Sequence, residues 1–242
     1  MSVLKPVSSP VPKHIGLIMD GNRRFAKRLM LKPWKGHEWG KEKVMKVCSW
    51  AKELGVEELT FYAFSIQNLN RPKKEFDYLM KVCKEGFKEL LEKIDKKDRL
   101  AKDMQIQFIG RIHLFPKDIQ SLMKEIMKKT RDNKKYKINF AMAYGGREEV
   151  MDAILKIAKE VAKGNLKASE INEELFAKNL YTPDEPDLII RTGGEKRISN
   201  FLIWQGNYAE LIFMDKMWPE FEKEDLIACI EEYGERERRF GR

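Results

Sequence analysis

The chain has 242 residues, enough for one domain with a large core. Its net charge is +9, yet Lys and Glu alternate through most helical stretches as on solvated faces, and no nucleic-acid motif accompanies the excess. No apolar run approaches ~20 residues, which excludes a membrane span, and Cys48, Cys83 and Cys229 form no CxxC pair, so they read as reduced core residues of a cytoplasmic protein.

Residues 1–13 contain Pro6, Pro10 and Pro12 and no hydrophobic region, which predicts a flexible lead-in and not a signal peptide. Ile15 to Met19 is an unbroken apolar run, as in a strand buried on both faces. It ends at Asp20-Gly21-Asn22, a turn sequence, followed by Arg23, Arg24 and a helix-forming stretch from Phe25 to Arg28. One carboxylate beside free N–H groups and two guanidiniums suits a metal-chelated phosphate; the other reading is that Asp20 only caps the next helix. Helical spacing runs from His37 to Leu54 and stops at Gly55. Leu59 to Phe64 is strand-like and leaves through Ser65 to Arg71, after which Pro72 opens a long helix. That helix presents Phe76, Leu79, Met80, Cys83, Phe87, Leu90, Leu91 and Ile94 on one wide face.

Strands are further predicted at Ile106–Ile109, Ile138–Ala143, Leu188–Ile190 and Leu211–Phe213, with helices at Lys117–Thr130, Glu148–Val161, around Asn172–Asn179 and from Glu224 to the C-terminus. Alternating strands and helices imply a single-domain α/β fold: a mainly parallel six-stranded sheet flanked by helices, binding ligands beyond the carboxyl ends of its strands. Each of the first five exit loops holds an Arg (Arg23 and Arg24, Arg71, Arg111, Arg147, Arg191), and four hold a Gly. Five such loops converging on one rim suit a polyanion, two diphosphates better than one phosphate. Neither GxxxxGK[ST] nor GxGxxG occurs, and no His/Cys cluster is present, leaving a hard cation such as Mg²⁺ held by carboxylate and phosphate. His113 reads as a surface residue; His37, between Gly36 and Gly40, is the histidine placed for a role at the site.

Several motifs together resemble the cis-prenyltransferases, the undecaprenyl and dehydrodolichyl diphosphate synthases. They are Ile18-Met-Asp-Gly-Asn22, Tyr62-Ala-Phe-Ser65 with Asn68 and Asn70-Arg71-Pro72, Tyr144-Gly-Gly-Arg147, Ile190-Arg-Thr-Gly-Gly-Glu195 with Arg197-Ile-Ser-Asn200, and Arg238-Arg-Phe-Gly241. The similarity runs in order from His14 to the C-terminus, so residues 14–242 are expected to form the catalytic domain. It implies a homodimer that adds isopentenyl diphosphate to an allylic diphosphate primer, geranylgeranyl or farnesyl diphosphate, with cis double bonds. The product would be a long-chain polyprenyl diphosphate such as undecaprenyl diphosphate, precursor of a glycosyl carrier lipid, released by peripheral contact with a membrane. The DDxxD motif of trans-prenyl synthases is absent.

By the same resemblance Asp20 holds Mg²⁺ on a diphosphate, Glu210 is a second magnesium contact, and Gly21, Asn22, Arg23, Arg24 and His37 hold the allylic diphosphate. Phe25, where most bacterial members have Trp, would flank the prenyl chain. Ser65, Ile66, Gln67, Asn68 and Leu69 would line the reaction centre. Asn68 resembles the assigned proton acceptor, but a neutral amide is a poor base, so it is expected to relay or orient while a diphosphate oxygen takes the proton. Arg71, Arg191, Arg197, Ile198 and Ser199 would clamp isopentenyl diphosphate. Pro33 replaces an Arg that many bacterial members carry, with Lys32 and Lys35 on either side as substitutes. The prenyl chain would occupy an apolar tunnel between the strands and the helix of Phe76, Met80, Cys83, Phe87 and Leu91, with Tyr136 at its floor or merely ending the strand at the surface. The segment 235–242 would reach the partner subunit's site. Two other readings are a non-catalytic partner subunit of this fold, which should lack Asp20 and Asn68, and a basic nucleic-acid-binding module. Lysine-rich composition and Phe25 resemble archaeal members, which favour geranylgeranyl diphosphate.

Overall fold

A computed structural model describes residues 10–236. The strands are β1 (His14–Ile18), β2 (Glu58–Ser65), β3 (Met104–Ile109), β4 (Tyr136–Tyr144), β5 (Leu188–Arg191) and β6 (Glu210–Phe213). They form one sheet of order β3-β4-β2-β1-β5-β6, and every pairing is parallel. Around it lie α1 (Asn22–Arg28), α2 (Gly36–Glu53), α3 (Lys73–Asp95), α4 (Lys117–Thr130), α5 (Gly146–Ala162), α6 (Glu173–Asn179) and α7 (Lys223–Glu235). Each predicted strand and helix is present, and α4 has the predicted ends. The last helix is a correction: it stops at Glu235, and Arg236 is already extended, turned back to pair with Glu210 at 2.8 Å. The expected reach of the tail beyond it lies outside the described residues, as does most of the lead-in.

The continuous apolar runs explain the two-sided burial. β1 and β5 are buried throughout. One face of the sheet sends Leu17, Phe61, Ile138, Phe140 and Ile190 into a large core with α2, α3, α4 and α7; the other sends Ile18, Ala141 and Ile189 against Phe201 and Leu202. On α3, Leu79, Met80, Val82, Phe87 and Leu90 are buried. Each contributes roughly 1.5–3 kcal/mol, a large share of a net stability of ~5–15 kcal/mol. No described helix is long and apolar enough to cross a membrane. The three cysteines are free, with Cys48 and Cys229 buried.

The topology decides where a ligand can sit. From β1 the chain moves to β2 on one side, while β5 pairs with β1 on the other. The exit loops of β1 and β5 therefore diverge, which opens a crevice at their carboxyl ends. Ile18 is in register with Arg191 across that boundary, so Asp20 and Arg191 emerge side by side.

Candidate active site

The turn after β1 is pinned from both sides. The Asp20 carbonyl accepts from Trp218 N–H at 2.9 Å and from Thr192 Oγ1 at 2.8 Å. Gly21 has φ +104°, and a Cβ there would lie 2.8 Å from Met217 Cβ, so only glycine fits. The capping reading of Asp20 fails, because Gly21 is the cap residue of α1 and no side chain caps that helix. Instead the carboxylate takes Gly21 N–H at 2.6 Å, Arg191 Nη2 at 2.8 Å and Arg24 Nη2 at 3.2 Å. Burial alone would raise its pKa. The hydrogen bonds from Arg191 and Gly21, with the charges of Arg191 and Arg24, outweigh that and hold it below the ordinary carboxylate value.

A second carboxylate, Glu75, is buried at the start of α3 and pairs with Arg71 Nη1 at 2.5 Å and Arg23 Nε at 3.5 Å. Two acids thus face four guanidiniums, a cluster with a surplus of two positive charges. Arg191 is nearly buried; its Nη1 donates to Ser199 Oγ at 2.7 Å and to the Arg197 carbonyl, and its Nε has no partner among the described residues. Ser199 and Asn200 both have positive φ, 50° and 63°, which turns this loop back over the crevice. Arg197 itself points to solvent and pairs with Glu195 at 2.5 Å.

The expected convergence of five arginine loops needs correction. Arg111 leaves the edge strand β3 and is held by Asp152 through two bonds of 3.1 and 2.8 Å, away from the crevice. Arg147 sits at the start of α5, where its N–H donates to Asn200 Oδ1 at 2.9 Å, and it lines neither cavity described below.

β2 leaves into one 3₁₀ turn, Ile66–Asn70. Ser65 and Asn68 cap it reciprocally, with Asn68 Oδ1 accepting Ser65 N–H at 3.0 Å. That bond orients the amide and leaves Nδ2 to donate. His37 is half-buried, its Nε2 3.5 Å from Arg71 Nη1. Burial first, then the charges of Arg71 and Arg23, push its pKa down to about 3, so the imidazole is neutral at pH 7. Gly36 and Gly40 flank it because a Cβ at either would strike Asn22, 1.9 Å from its carbonyl oxygen or 2.3 Å from Oδ1. The two glycines let α2 press His37 against the turn.

Two cavities meet here. One, of about 560 Å³, lies between α2, α3 and the sheet; Val44, Met45, Leu79, Val82, Phe87 and Phe140 line it, together with Asn22, His37 and Arg71. The other, of about 540 Å³, is lined by Asp20, Ser65, Gln67, Arg191, Ser199 and Asn200. Met19, Tyr62 and Asn68 line both.

The apolar cavity differs from its expected shape. Cys83 and Phe87 line it, but Phe76, Met80 and Leu91 pack into the core instead, and α2 supplies much of the wall. Tyr136 is neither a surface residue nor a wall. It is fully buried two positions below Ile138 on the face that carries Phe140, and its hydroxyl has no partner among the described residues. Ile66 and Leu69 face the main core, Ile198 packs with Phe201, and Phe25 stands edge-on to Trp39 at 5.7 Å; none lines a cavity. Conversely, Tyr62, Asn200 and Trp218 were not singled out. The Tyr62 hydroxyl donates toward the Ser199 carbonyl at 3.2 Å, and Trp218 Nε1 to the Gly40 carbonyl at 2.9 Å. Tyr62 and Asn200 lie inside the quoted motifs, but neither carries a charge to mark it.

Glu210 is the clearest displacement. It starts β6, in register with Leu188, and so lies at the opposite end of the sheet from Asp20, bonded to Arg236. Within one chain the two acids cannot share an ion. No group of three or more His, Cys, Asp or Glu suited to a metal occurs among the described residues. A lone, ionised, half-exposed carboxylate still fits magnesium, which is usually held by one or two carboxylates plus substrate phosphates.

A wholly parallel sheet with a crevice where four guanidiniums face two carboxylates, beside an apolar chamber, makes a site for molecules with a phosphate head and an apolar tail. Comparison with known proteins narrows the class. A family model described as "Putative undecaprenyl diphosphate synthase" matches residues 18–241. The tritrans,polycis-undecaprenyl-diphosphate synthase (geranylgeranyl-diphosphate specific) of Methanopyrus kandleri is 46% identical, over 96% of this chain and 85% of its own. The protein of the same name from Pyrococcus horikoshii is 46% identical, over 98% and 90%. Among solved structures, lavandulyl diphosphate synthase from Lavandula x intermedia, in complex with dimethylallyl diphosphate, superposes with a TM-score of 0.90 at 34% identity, covering 96% of this chain and 99% of that one. A probable undecaprenyl diphosphate synthase from Campylobacter jejuni gives 0.78 at 31% identity, covering 96% and 100%. The chain belongs to the undecaprenyl diphosphate synthase family of cis-prenyltransferases.

Proposed function

We propose that this chain condenses isopentenyl diphosphate repeatedly with geranylgeranyl diphosphate to give a long-chain polyprenyl diphosphate such as undecaprenyl diphosphate, the precursor of a glycosyl carrier lipid. The observation that carries this reading is the meeting, at Asn68, of an apolar cavity with a polar one lined by Asp20 and Arg191, beside a cluster in which guanidiniums outnumber carboxylates. A primer laid with its tail in the first cavity has its diphosphate near Asn22, His37 and Arg71, so Arg71, expected on the isopentenyl diphosphate clamp, is reassigned to the primer. Isopentenyl diphosphate in the second lies near Arg191 and Ser199, with its double bond toward the junction. The primer's C–O bond breaks as the new C–C bond forms, and a proton leaves the added unit.

The developing charge sits on the departing diphosphate, so preorganised guanidiniums are the main source of rate. Neutral His37 and the Asn68 amide N–H add donors without a competing charge. As a neutral amide, Asn68 is a poor base, so it orients and does not abstract; a diphosphate oxygen takes the proton. Asp20 would hold Mg²⁺, which supplies charge neutralisation of the diphosphate when bound. Retention of both Asp20 and Asn68 supports a catalytic chain over a non-catalytic partner.

A homodimer is supported by α5, whose exposed stripe of Met151, Ile154 and Leu155 is covered by nothing among the described residues. Glu210 could serve a metal only across such an interface. The free cysteines support a cytoplasmic setting. The relatives named for geranylgeranyl diphosphate favour that primer over farnesyl diphosphate. The test is purified protein with labelled isopentenyl diphosphate, each primer in turn, with Mg²⁺ and then with chelator. Long products, best with geranylgeranyl diphosphate and lost on chelation, are expected; no incorporation with either primer would refute the reading.

A further inference from the structure

We infer that the segment 27–32, between α1 and α2, is a docking loop that seats the enzyme on an anionic lipid surface. It reads Lys27-Arg28-Leu29-Met30-Leu31-Lys32, and all six residues are exposed in succession. Met30 is 96% exposed, and Leu29 and Leu31 more than 40%. Three adjacent large apolar side chains in water are uncommon on a soluble domain and mark an interaction surface.

The exposure is built into the turn. Met30 has φ +58°, a conformation that side-chain-bearing residues rarely adopt. Two backbone bonds of 2.9 Å hold it there, Met30 N–H to the Lys27 carbonyl and Leu31 N–H to the Ala26 carbonyl. The apolar surface continues through Phe25 and the partly exposed Trp39, whose rings meet edge-on. Gly40 and Lys41, next to Trp39 in α2, line the apolar cavity.

Charge identifies the occupant. Between residues 27 and 35 there are four basic residues and no acid. Arg28 is paired with Glu220 and Lys35 with Glu38, while Lys27 and Lys32 make no ion pair among the described residues. Apolar side chains flanked by unpaired lysines suit the boundary of an anionic bilayer, where the tips insert and the ammonium groups meet headgroups. The other exposed apolar stripe, on α5, is interleaved with Asp152 and Lys156 and lacks this bias, which suits a protein surface. The choice of a membrane rests on the reading that the product is a long-chain lipid, which must pass from the cavity into a bilayer.

The experiment is co-sedimentation of the purified full chain, without substrate, with neutral vesicles and with vesicles containing an anionic lipid, at low and high salt. Wild-type protein should bind the anionic vesicles and bind less at high salt. The triple variant Leu29→Gln, Met30→Gln, Leu31→Gln should bind roughly tenfold more weakly or less. Met30→Gln alone, whose side chain touches almost nothing, keeps the test sound if the triple variant unfolds; it should weaken binding while leaving turnover in detergent unchanged. Wild-type protein that binds neither vesicle, or variants that bind as wild type does, would overturn the proposal. So would a change of oligomer mass in Met30→Gln, which would assign the loop to a second copy. Vesicle binding by a chain that incorporates no isopentenyl diphosphate supports the surface and refutes the activity, so the two fail separately.

Discussion

The two ends of the same strands carry opposite solutions to the problem of polar groups beside a core. At the amino ends, His14 Nε2 meets Thr60 Oγ1 at 2.7 Å, Asn139 Nδ2 reaches Glu58 at 2.6 Å and Thr60 at 2.9 Å, and Lys137 bridges Glu58 and Asp184. Most donors and acceptors there meet one another, leaving only His14 Nδ1 and Asn139 Oδ1 of these side chains without a partner among the described residues. At the carboxyl ends, Asp20 and Glu75 are outnumbered by Arg23, Arg24, Arg71 and Arg191, and the shortfall of negative charge opens on two cavities. A rim whose acids outnumber its cations offers nothing to an anion; one with surplus guanidiniums waits for it.

Four changes test that contrast, in decreasing order of effect. Asp20→Ala should lower turnover about a thousandfold or more, while the melting temperature stays near that of wild type, because a leaving-group contact is lost and no core is disturbed. Steady-state kinetics and calorimetry check it; near-normal Mg²⁺-dependent activity would remove Asp20 from the chemistry. Thr60→Val at the opposite rim should do the reverse. It leaves His14 and Asn139 short of a partner and should cost on the order of 2 kcal/mol in urea unfolding, with turnover per folded molecule unchanged.

The third test uses pH. His14 and His37 are both held below the ordinary histidine pKa, His14 chiefly by burial and His37 by burial and then Arg71 and Arg23, down to about 3. The unfolded chain takes up those protons below about pH 6.5 and the folded chain resists, so stability falls as pH drops from 7 to 5. The part due to His37 should be on the order of 1–2 kcal/mol, and His37→Gln should flatten the profile. An identical profile in the variant would mean that His37 titrates normally. The smallest effect is Tyr136→Phe, which removes a buried hydroxyl with no partner among the described residues and should stabilise by about 1 kcal/mol or less. Product length should be unchanged, because Tyr136 does not line the cavity, whereas Phe140→Ala, which enlarges the cavity itself, should lengthen it.

The elements were legible because a doubly covered parallel sheet writes each strand as an apolar run. β4 is longer than its apolar run because Lys137 interrupts the pattern; that side chain escapes burial by reaching Glu58 and Asp184 at the amino ends of the strands. The charged site residues were legible because few other roles suit Asp20 or Arg191 at a strand tip. Direction was not. Ile66 and Leu69 alternate with Gln67 and Asn68 in one 3₁₀ turn, which sends the apolar pair to the core and the polar pair to the crevice. Glu210 begins its strand and does not end it, which is invisible without the register. Arg71 and Arg111 look alike as exit-loop arginines, and only the strand order separates a central loop from an edge.

That last pair gives the most direct test of the unbalanced rim. Binding of an unreactive thio analogue of the allylic diphosphate, measured by calorimetry at low and high salt, compares Arg71→Met with Arg111→Met. Arg71→Met should weaken binding roughly tenfold or more and reduce its salt dependence. Arg111→Met, whose guanidinium is already spent on Asp152, should bind as wild type does. Equal losses in the two variants would contradict the claim that a local surplus of arginines, and not the protein's overall positive charge, holds the diphosphate.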